Sequence, residues 1–281
     1  MTEKASFEAR RREMARRTLS GEAREGWFIP YRHAADARPE AVAPAVERIF
    51  ADAADRFEAT LDLIAGYREA LLAIGADDPA PAPRWDQDWF AGLDAAAAYA
   101  LVRDRRPARI VEIGSGHSTR FMVRAVRDGD FDCAITAIDP APRADIAALP
   151  LTLVQDIVQN ADRSVFAALK PGDVLSIDSS HILMPGTDVD LLFGEIVPAL
   201  PAGVLVHVHD IFLPWPYPED WEARGYNEQN ALRPLIAAGA LEPLFASQYA
   251  ARAMTGLCGR LTGFIPRPRP NHDASFWAIR A

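Results

Sequence analysis

RIVEIGSGHSTRFMVRAV, residues 109–126, is the stretch from which the fold can be read. Its first six residues form a near-continuous apolar run, as expected of a strand buried on both faces of a parallel sheet. From residue 118 to 127 the pattern becomes that of a helix. Between the two, Gly114 and Gly116 let the backbone turn tightly and approach a ligand, and Ser118 and Thr119 can cap the helix that follows. Amides exposed at that helix start would face an anion or a carboxylate.

The same grammar repeats downstream. AITAID (134–139), LTLVQD (151–156), DVLSID (173–178) and VLVHVHD (204–210) are short apolar runs that end on an acid, with helical stretches at 161–169 and 187–199 in the intervals. Such alternation predicts an α/β fold: a Rossmann-like, doubly wound and mostly parallel sheet whose ligands sit at the carboxyl ends of its strands. LEPLFASQYA (241–250) and ASFWAIR (274–280) add edge strands for a seven-stranded sheet. The order of those last strands is not readable from the pattern.

Upstream, residues 1–26 are polar and charged, an arm that is helical or frayed, and GWFIPYRHA (26–34) reads as a loop or short extended piece. From Ala41 to Ile74 apolar residues recur every three or four positions, which predicts one long amphipathic helix closed by Gly75. That helix can pack on its own domain or against a second subunit in a homodimer. ADDPAPAPR (76–84) is a Pro-rich linker, and a second helix is expected over 87–103. The expected organisation is therefore an N-terminal helical extension and linker, 1–84, followed by a ligand-binding Rossmann-like domain, 85–281.

A formal net charge of -9 argues against a duplex nucleic acid as the main ligand, because phosphate neutralisation needs a basic face. It says little about small nucleotides, which backbone amides hold. The charged N-terminus lacks the apolar run of a signal peptide, and no stretch reaches membrane-span length, so a cytoplasmic protein without a membrane partner is expected. Cys133 and Cys258 read as buried thiols.

Asp139, at the tip of the second strand, is placed to accept both ribose hydroxyls of an adenosine. A dinucleotide fingerprint would require a third Gly where Thr119 stands. Glu112, two residues before Gly114, could meet a positively charged amine, which favours an amino-acid-bearing adenosine over a pyrophosphate. VEIGSGHST, AID (137–139), IDSSH (177–181) and HVHDIFLP (207–214) together resemble the class I S-adenosylmethionine-dependent methyltransferases, over roughly residues 85–215. More loosely, GWFIPYRHA, YNEQNALR (226–233) and ASFWAIR are similar to one bacterial branch of that family.

The resemblance implies S-adenosylmethionine as cofactor. Glu112, Gly114 and Gly116, with Ser115 and Ser118 in the same loop, would hold its methionine end. Asp139 would take the ribose, Asp156 would approach the adenine amine, and Asp178 would face the transferring methyl. The sequence departs from the family pattern at Ser118 and at Gln155, where Gly is commoner.

On the acceptor side, Asp178, His181, His209 and Asp210 lie just past two strands expected to be neighbours. A His of ordinary pKa there could serve as base for a hydroxyl or amine, with Asp178 orienting the acceptor. His207 reads instead as a hydrogen-bonded core residue. Catechol-type relatives hold magnesium with acids after the fourth and fifth strands. Asp178 and Asp210 match two of those places, but Ile211 fills the third and cannot ligate, so a divalent metal is open but not favoured. FLPWPYPEDW (212–221) reads as a substrate wall or as a packed surface turn.

The expected activity is methyl transfer to a small molecule, foremost to oxygen. Transfer to nitrogen, a metal-assisted reaction, a nicotinamide-dependent oxidoreductase and a non-catalytic cofactor-binding regulator remain as alternatives.

Overall fold

The computed structural model describes residues 3–90, 92–142, 144–269 and 271–281. Its centre is a seven-stranded sheet in the order β3-β2-β1-β4-β5-β7-β6. The strands are β1 (Arg109–Ile113), β2 (Ala134–Ile138), β3 (Thr152–Val154), β4 (Val174–Ile177), β5 (Leu205–Val208), β6 (Leu241–Ala246) and β7 (Phe276–Arg280). β1 to β5 pair in parallel, and β7 runs antiparallel between β5 and β6. This is the doubly wound sheet the alternation predicts. LEPLFASQYA supplies only β6 before turning into a helix at Ser247–Ala253.

The apolar run from 41 to 74 forms three helices, not one. After α1 (Glu3–Leu19) come α2 (Pro44–Asp52), α3 (Ala54–Gly66) and α4 (Arg68–Leu72), with breaks at Ala53 and Tyr67 where ψ rises to 5° and 15°. The break at Ala53 carries no Pro or Gly, whereas the one at Tyr67 follows Gly66. The bends keep Val46, Phe50, Phe57, Leu61, Ile64 and Leu71 all buried. Phe50 stacks on Phe276 of β7 with ring centroids 5.8 Å apart and meets Phe57 and Tyr249 edge-on, so these helices share one hydrophobic core with the sheet. The linker after Ile74 ends on Trp85, which is fully buried against Phe121 and donates its indole N–H to the Leu71 carbonyl.

α5 (Gly92–Arg105) and α6 (His117–Gly129) flank the sheet, and α7 (Gln229–Ala237) follows a turn over the carboxyl ends of β4 and β5. No helix among the described residues is long and apolar enough to cross a membrane.

Candidate functional site

The glycine loop between β1 and α6 is held from below. Gly114 sits at φ 73°, and a Cβ there would overlap the Asp178 carbonyl oxygen, so the close approach of the β1 and β4 ends requires Gly. Gly116 differs: a Cβ would meet nothing nearer than Ala144 at 3.8 Å, so the space beside it is open. The Gly116 N–H donates to Thr119 Oγ1 at 2.9 Å, which caps the start of α6.

Glu112 does not reach that open side. Its two carboxylate oxygens accept from the Ser118 and Thr119 hydroxyls, both at 2.6 Å, and the residue is fully buried. Glu112, expected to meet a ligand's amine, is thus placed beneath the loop with both oxygens bonded to these hydroxyls. Ser118, expected as a cap and ligand contact, is likewise turned inward to Glu112. Burial pushes the Glu112 carboxyl up to about 8, with Asp178 and Asp139 adding to the rise and the two hydroxyls opposing it.

Asp139 stands next along the rim. It accepts from the Ser115 N–H at 2.7 Å and hydroxyl at 2.9 Å, and from the Ala141 N–H at 2.8 Å. Asp156 is exposed past β3 and is bonded to the Ile157 amide and the Asn160 side chain. The strand order sets Asp156, Asp139, the loop 114–116, Asp178 and Asp210 in a row along one carboxyl edge. An extended adenosine bearing an amino acid fits such a row, with open backbone at Gly116 in its middle.

At the other end of the row the four expected acceptor-side residues do converge. His181 Nε2 lies 3.4 Å from both Asp178 Oδ1 and Asp210 Oδ2, and its Nδ1 lies 2.8 Å from Glu228 Oε2. His209 Nε2 lies 3.2 Å from Asp94 Oδ2, and its Nδ1 is 3.5 Å from Asp210 Oδ1 and 3.8 Å from Asp178 Oδ1. That Nδ1 is buried and makes no hydrogen bond among the described residues. His181 and Asp210 both adopt left-handed backbone, φ 62° and 58°, a conformation that non-glycine residues hold only against strain.

The electrostatics follow from this crowding. Burial would lower the two imidazoles. It is outweighed by Asp178, Glu228 and Asp210 around His181 and by Asp210, Asp178 and Asp94 around His209, so both are held well above the ordinary histidine range. Neither is therefore the imidazole of ordinary pKa expected from the sequence. Burial would raise Asp178, but His181 and His209 beside it hold its carboxyl well below the usual range.

His207 is the core residue expected: Nδ1 and Nε2 contact the Ser176 and Ser275 hydroxyls at 2.9 Å and 3.0 Å, and its ring stacks on Trp277. Burial pushes it down to about 3, so it stays neutral. Asp178, His181 and Asp210 each place one ligand atom within 4.8 Å of the others, a spacing a divalent cation could bridge. The buried Ile211 offers no further ligand.

Two buried acids in the site were not anticipated. Asp94, on the first turn of α5, accepts from the Ser247 hydroxyl at 2.5 Å and the Ala274 and Ser275 amides, besides meeting His209. Its one sequence signal is that it is the lone acid in an apolar stretch, FAGLDAAAAYALV. Glu228 lies within YNEQNALR, but nothing in its spacing shows that it is buried. Tyr226 lies tilted against His181 with ring centroids 4.3 Å apart, Tyr217 and Trp221 meet Tyr226 edge-on and Phe212 packs on those two, so part of FLPWPYPEDW is a packed aromatic wall.

Residues 111–211 match a family model described as a methyltransferase domain. No curated protein matches the chain in sequence. Among solved structures, the chain is similar to the SAH-bound Podospora anserina methyltransferase PaMTH1, at 15% identity and a TM-score of 0.41, covering 91% of this chain and 99% of that one. It is similar also to the plantazolicin methyltransferase BpumL in complex with a monoazolic desmethylPZN analog and SAH, at 13% identity and a TM-score of 0.41, covering 99% and 97%. A third likeness is to CalO1, a methyltransferase in calicheamicin biosynthesis, at 16% identity and a TM-score of 0.32, covering 82% and 77%. These overlaps lie below a TM-score of 0.5 and assign no chemistry to this chain.

Proposed function

We propose, with residues 111–211 a methyltransferase domain as the premise, that the protein transfers a methyl group from S-adenosylmethionine to a hydroxyl of a small molecule. The observation that carries this reading is the row of side chains along the carboxyl edge of β3, β2, β1, β4 and β5. Asp156 and Asp139 lie where adenine and ribose would be held, and the loop of Gly114, Ser115 and Gly116 presents backbone to the amino-acid end. Glu112 and Ser118 support that loop from beneath. When bound, S-adenosylmethionine supplies an electrophilic methyl on a sulfonium.

The acceptor end belongs to Asp178, His181, His209 and Asp210. Asp178 is the member whose side chain stays most open, 37% exposed, so it orients the acceptor's O–H by accepting its hydrogen bond. A carboxylate held so far down is a weak base. Proton removal therefore falls to His181 or His209 in the deprotonated form, which then returns its proton to solvent. Burial of both imidazoles and the aromatic wall around Tyr226 limit water at that point. The Asp178–His181–Asp210 cluster already balances two carboxylates with a cationic ring, and no bound cation is required by this reading.

Calorimetric titration with S-adenosylmethionine and with NAD tests the cofactor, and binding of NAD alone would overturn the reading. Radiolabelled methyl transfer to a panel of phenols, catechols, sugars and amines then tests the reaction and separates oxygen from nitrogen acceptors. Asp178→Ala is expected to abolish turnover while cofactor binding survives, and so is whichever of His181→Ala and His209→Ala removes the base. Absence of transfer from the wild type to any acceptor would favour a non-catalytic binding protein.

A further inference from the structure

Glu228 is fully buried, and the hydrogen bonds of its carboxyl go to side chains of the loop that follows β4. Its Oε1 accepts the Ser179 hydroxyl at 2.8 Å, and its Oε2 lies 2.8 Å from His181 Nδ1. No arginine or lysine pairs with it among the contacts of the described residues. A buried carboxylate without such a partner is unfavourable unless hydrogen bonds satisfy it.

The neighbouring residue already holds the backbone of that loop. The Asn227 N–H donates to the His181 carbonyl at 3.0 Å, its Oδ1 accepts the Leu183 N–H at 2.6 Å, and its side-chain amide donates to the Leu183 carbonyl. These neutral bonds and the Tyr226 ring fasten the left-handed turn at His181, so a charge at position 228 is not needed for that purpose. What Glu228 adds acts on the imidazole. Burial raises the Glu228 carboxyl, and His181 opposes the rise. In its ionised form the carboxylate can only accept, which puts a proton on His181 Nδ1 and leaves Nε2 between Asp178 and Asp210.

We propose that Glu228 is a positioning residue that fixes the ring orientation and the Nδ1 proton of His181, so that Nε2 is the atom offered to the acceptor. This rests on the functional reading above and names a residue that acts through His181 without touching substrate. The arrangement is that of a buried acid behind an imidazole, on a different element and from a later part of the chain.

The test combines two readouts on the full chain. The first is long-range ¹H–¹⁵N NMR of protein labelled at histidine nitrogen, with His181 assigned from a His181→Gln variant. The wild type is expected to show Nδ1 protonated from pH 6 to 8, and an unprotonated Nδ1 overturns the proposal without any variant at position 228. The second uses Glu228→Gln, which keeps shape and a hydrogen-bond acceptor, on the best acceptor of the panel above. The expected result is a kcat lowered about 10- to 100-fold with acceptor KM and S-adenosylmethionine affinity within about threefold of wild type. The His181 nitrogen signals should shift toward the neutral ring. An unchanged kcat, or a loss of kcat matched by a loss of cofactor binding, refutes positioning. If the wild type transfers no methyl group, the functional reading fails by itself, and the NMR experiment still decides whether Glu228 governs His181.

Discussion

Replacement of Glu112 by Gln tests the physical account of the glycine loop. The wild-type carboxyl ionises near 4.5 in the unfolded chain and is pushed up to about 8 by burial in the fold. The native state therefore binds the proton more tightly. The stability this contributes is complete below about 4.5 and is lost as pH rises toward about 8. Across that window the loss runs at about 1.4 kcal/mol per pH unit, so roughly 3 kcal/mol separates pH 5.5 from pH 7.5. Gln has no charge to bury. Its carbonyl can accept one of the Ser118 and Thr119 hydroxyls, and its amide can donate to the other.

Urea unfolding of both proteins at the two pH values, followed by tryptophan fluorescence, gives the quantity needed: the stability difference between variant and wild type, in which every other titrating group cancels. That difference is expected to grow in favour of Gln by about 3 kcal/mol from pH 5.5 to 7.5. Affinity for S-adenosylmethionine should stay within about threefold of wild type, because the side chain faces Ser118 and Thr119 and not the open side of the loop. A difference that does not change with pH refutes the burial argument. A tenfold or larger loss of cofactor affinity would restore the direct contact expected from the sequence alone.

Gly114→Ala places a Cβ on the Asp178 carbonyl at a left-handed φ, and a loss of at least about 2 kcal/mol with impaired cofactor binding is expected from thermal unfolding and calorimetry. Phe50→Ala, in the core shared by α2, β7 and Tyr249, should lose about 3–5 kcal/mol in urea unfolding, whereas a loss below about 1 kcal/mol would mean that the extension contributes little to that core. With His181 and His209 both held above the ordinary histidine range, the base form is scarce at neutral pH, so kcat should rise with pH through an ionisation above 7. A flat profile from pH 6 to 9 would remove both rings from proton transfer. Dialysis against EDTA is expected to leave turnover within about twofold, and a loss restored by magnesium or manganese would assign a cation to Asp178, His181 and Asp210.

The parallel half of the sheet was legible because strands covered on both faces are written as unbroken apolar runs, each closed by the residue that lines the rim. RIVEIG, AITAID and DVLSID all fold where their pattern places them. The convergence of Asp178 with Asp210 was legible for the same reason: β4 and β5 are neighbours, and their carboxyl ends are adjacent. The bend at Ala53 was not, since no Gly or Pro marks it, and at Tyr67 the preceding Gly66 is masked by apolar spacing that runs on unbroken to Ile74. Asp94 and Glu228 escaped for a different reason. Their histidines lie 115 and 47 residues away, and no local pattern records a partner at that distance. The hydroxyls of Ser118 and Thr119 over Glu112 were not legible, because a strand residue's position shows which face it occupies, not whether a neighbouring hydroxyl closes over it.

The place of β7 has a consequence for how the protein is made. Residues 276–280 are synthesised after both strands they lie between, so the edges of β5 and β6 stay open on the ribosome until this segment emerges. The same stretch brings the Ala274 and Ser275 amides to Asp94, and Ser275 and Trp277 to His207. A nascent chain that stops short of it can form the glycine loop but leaves Asp94 without its backbone donors, and with them the support behind His209. The last strand thus ties closure of the sheet to completion of the polar contacts behind His209 and His207.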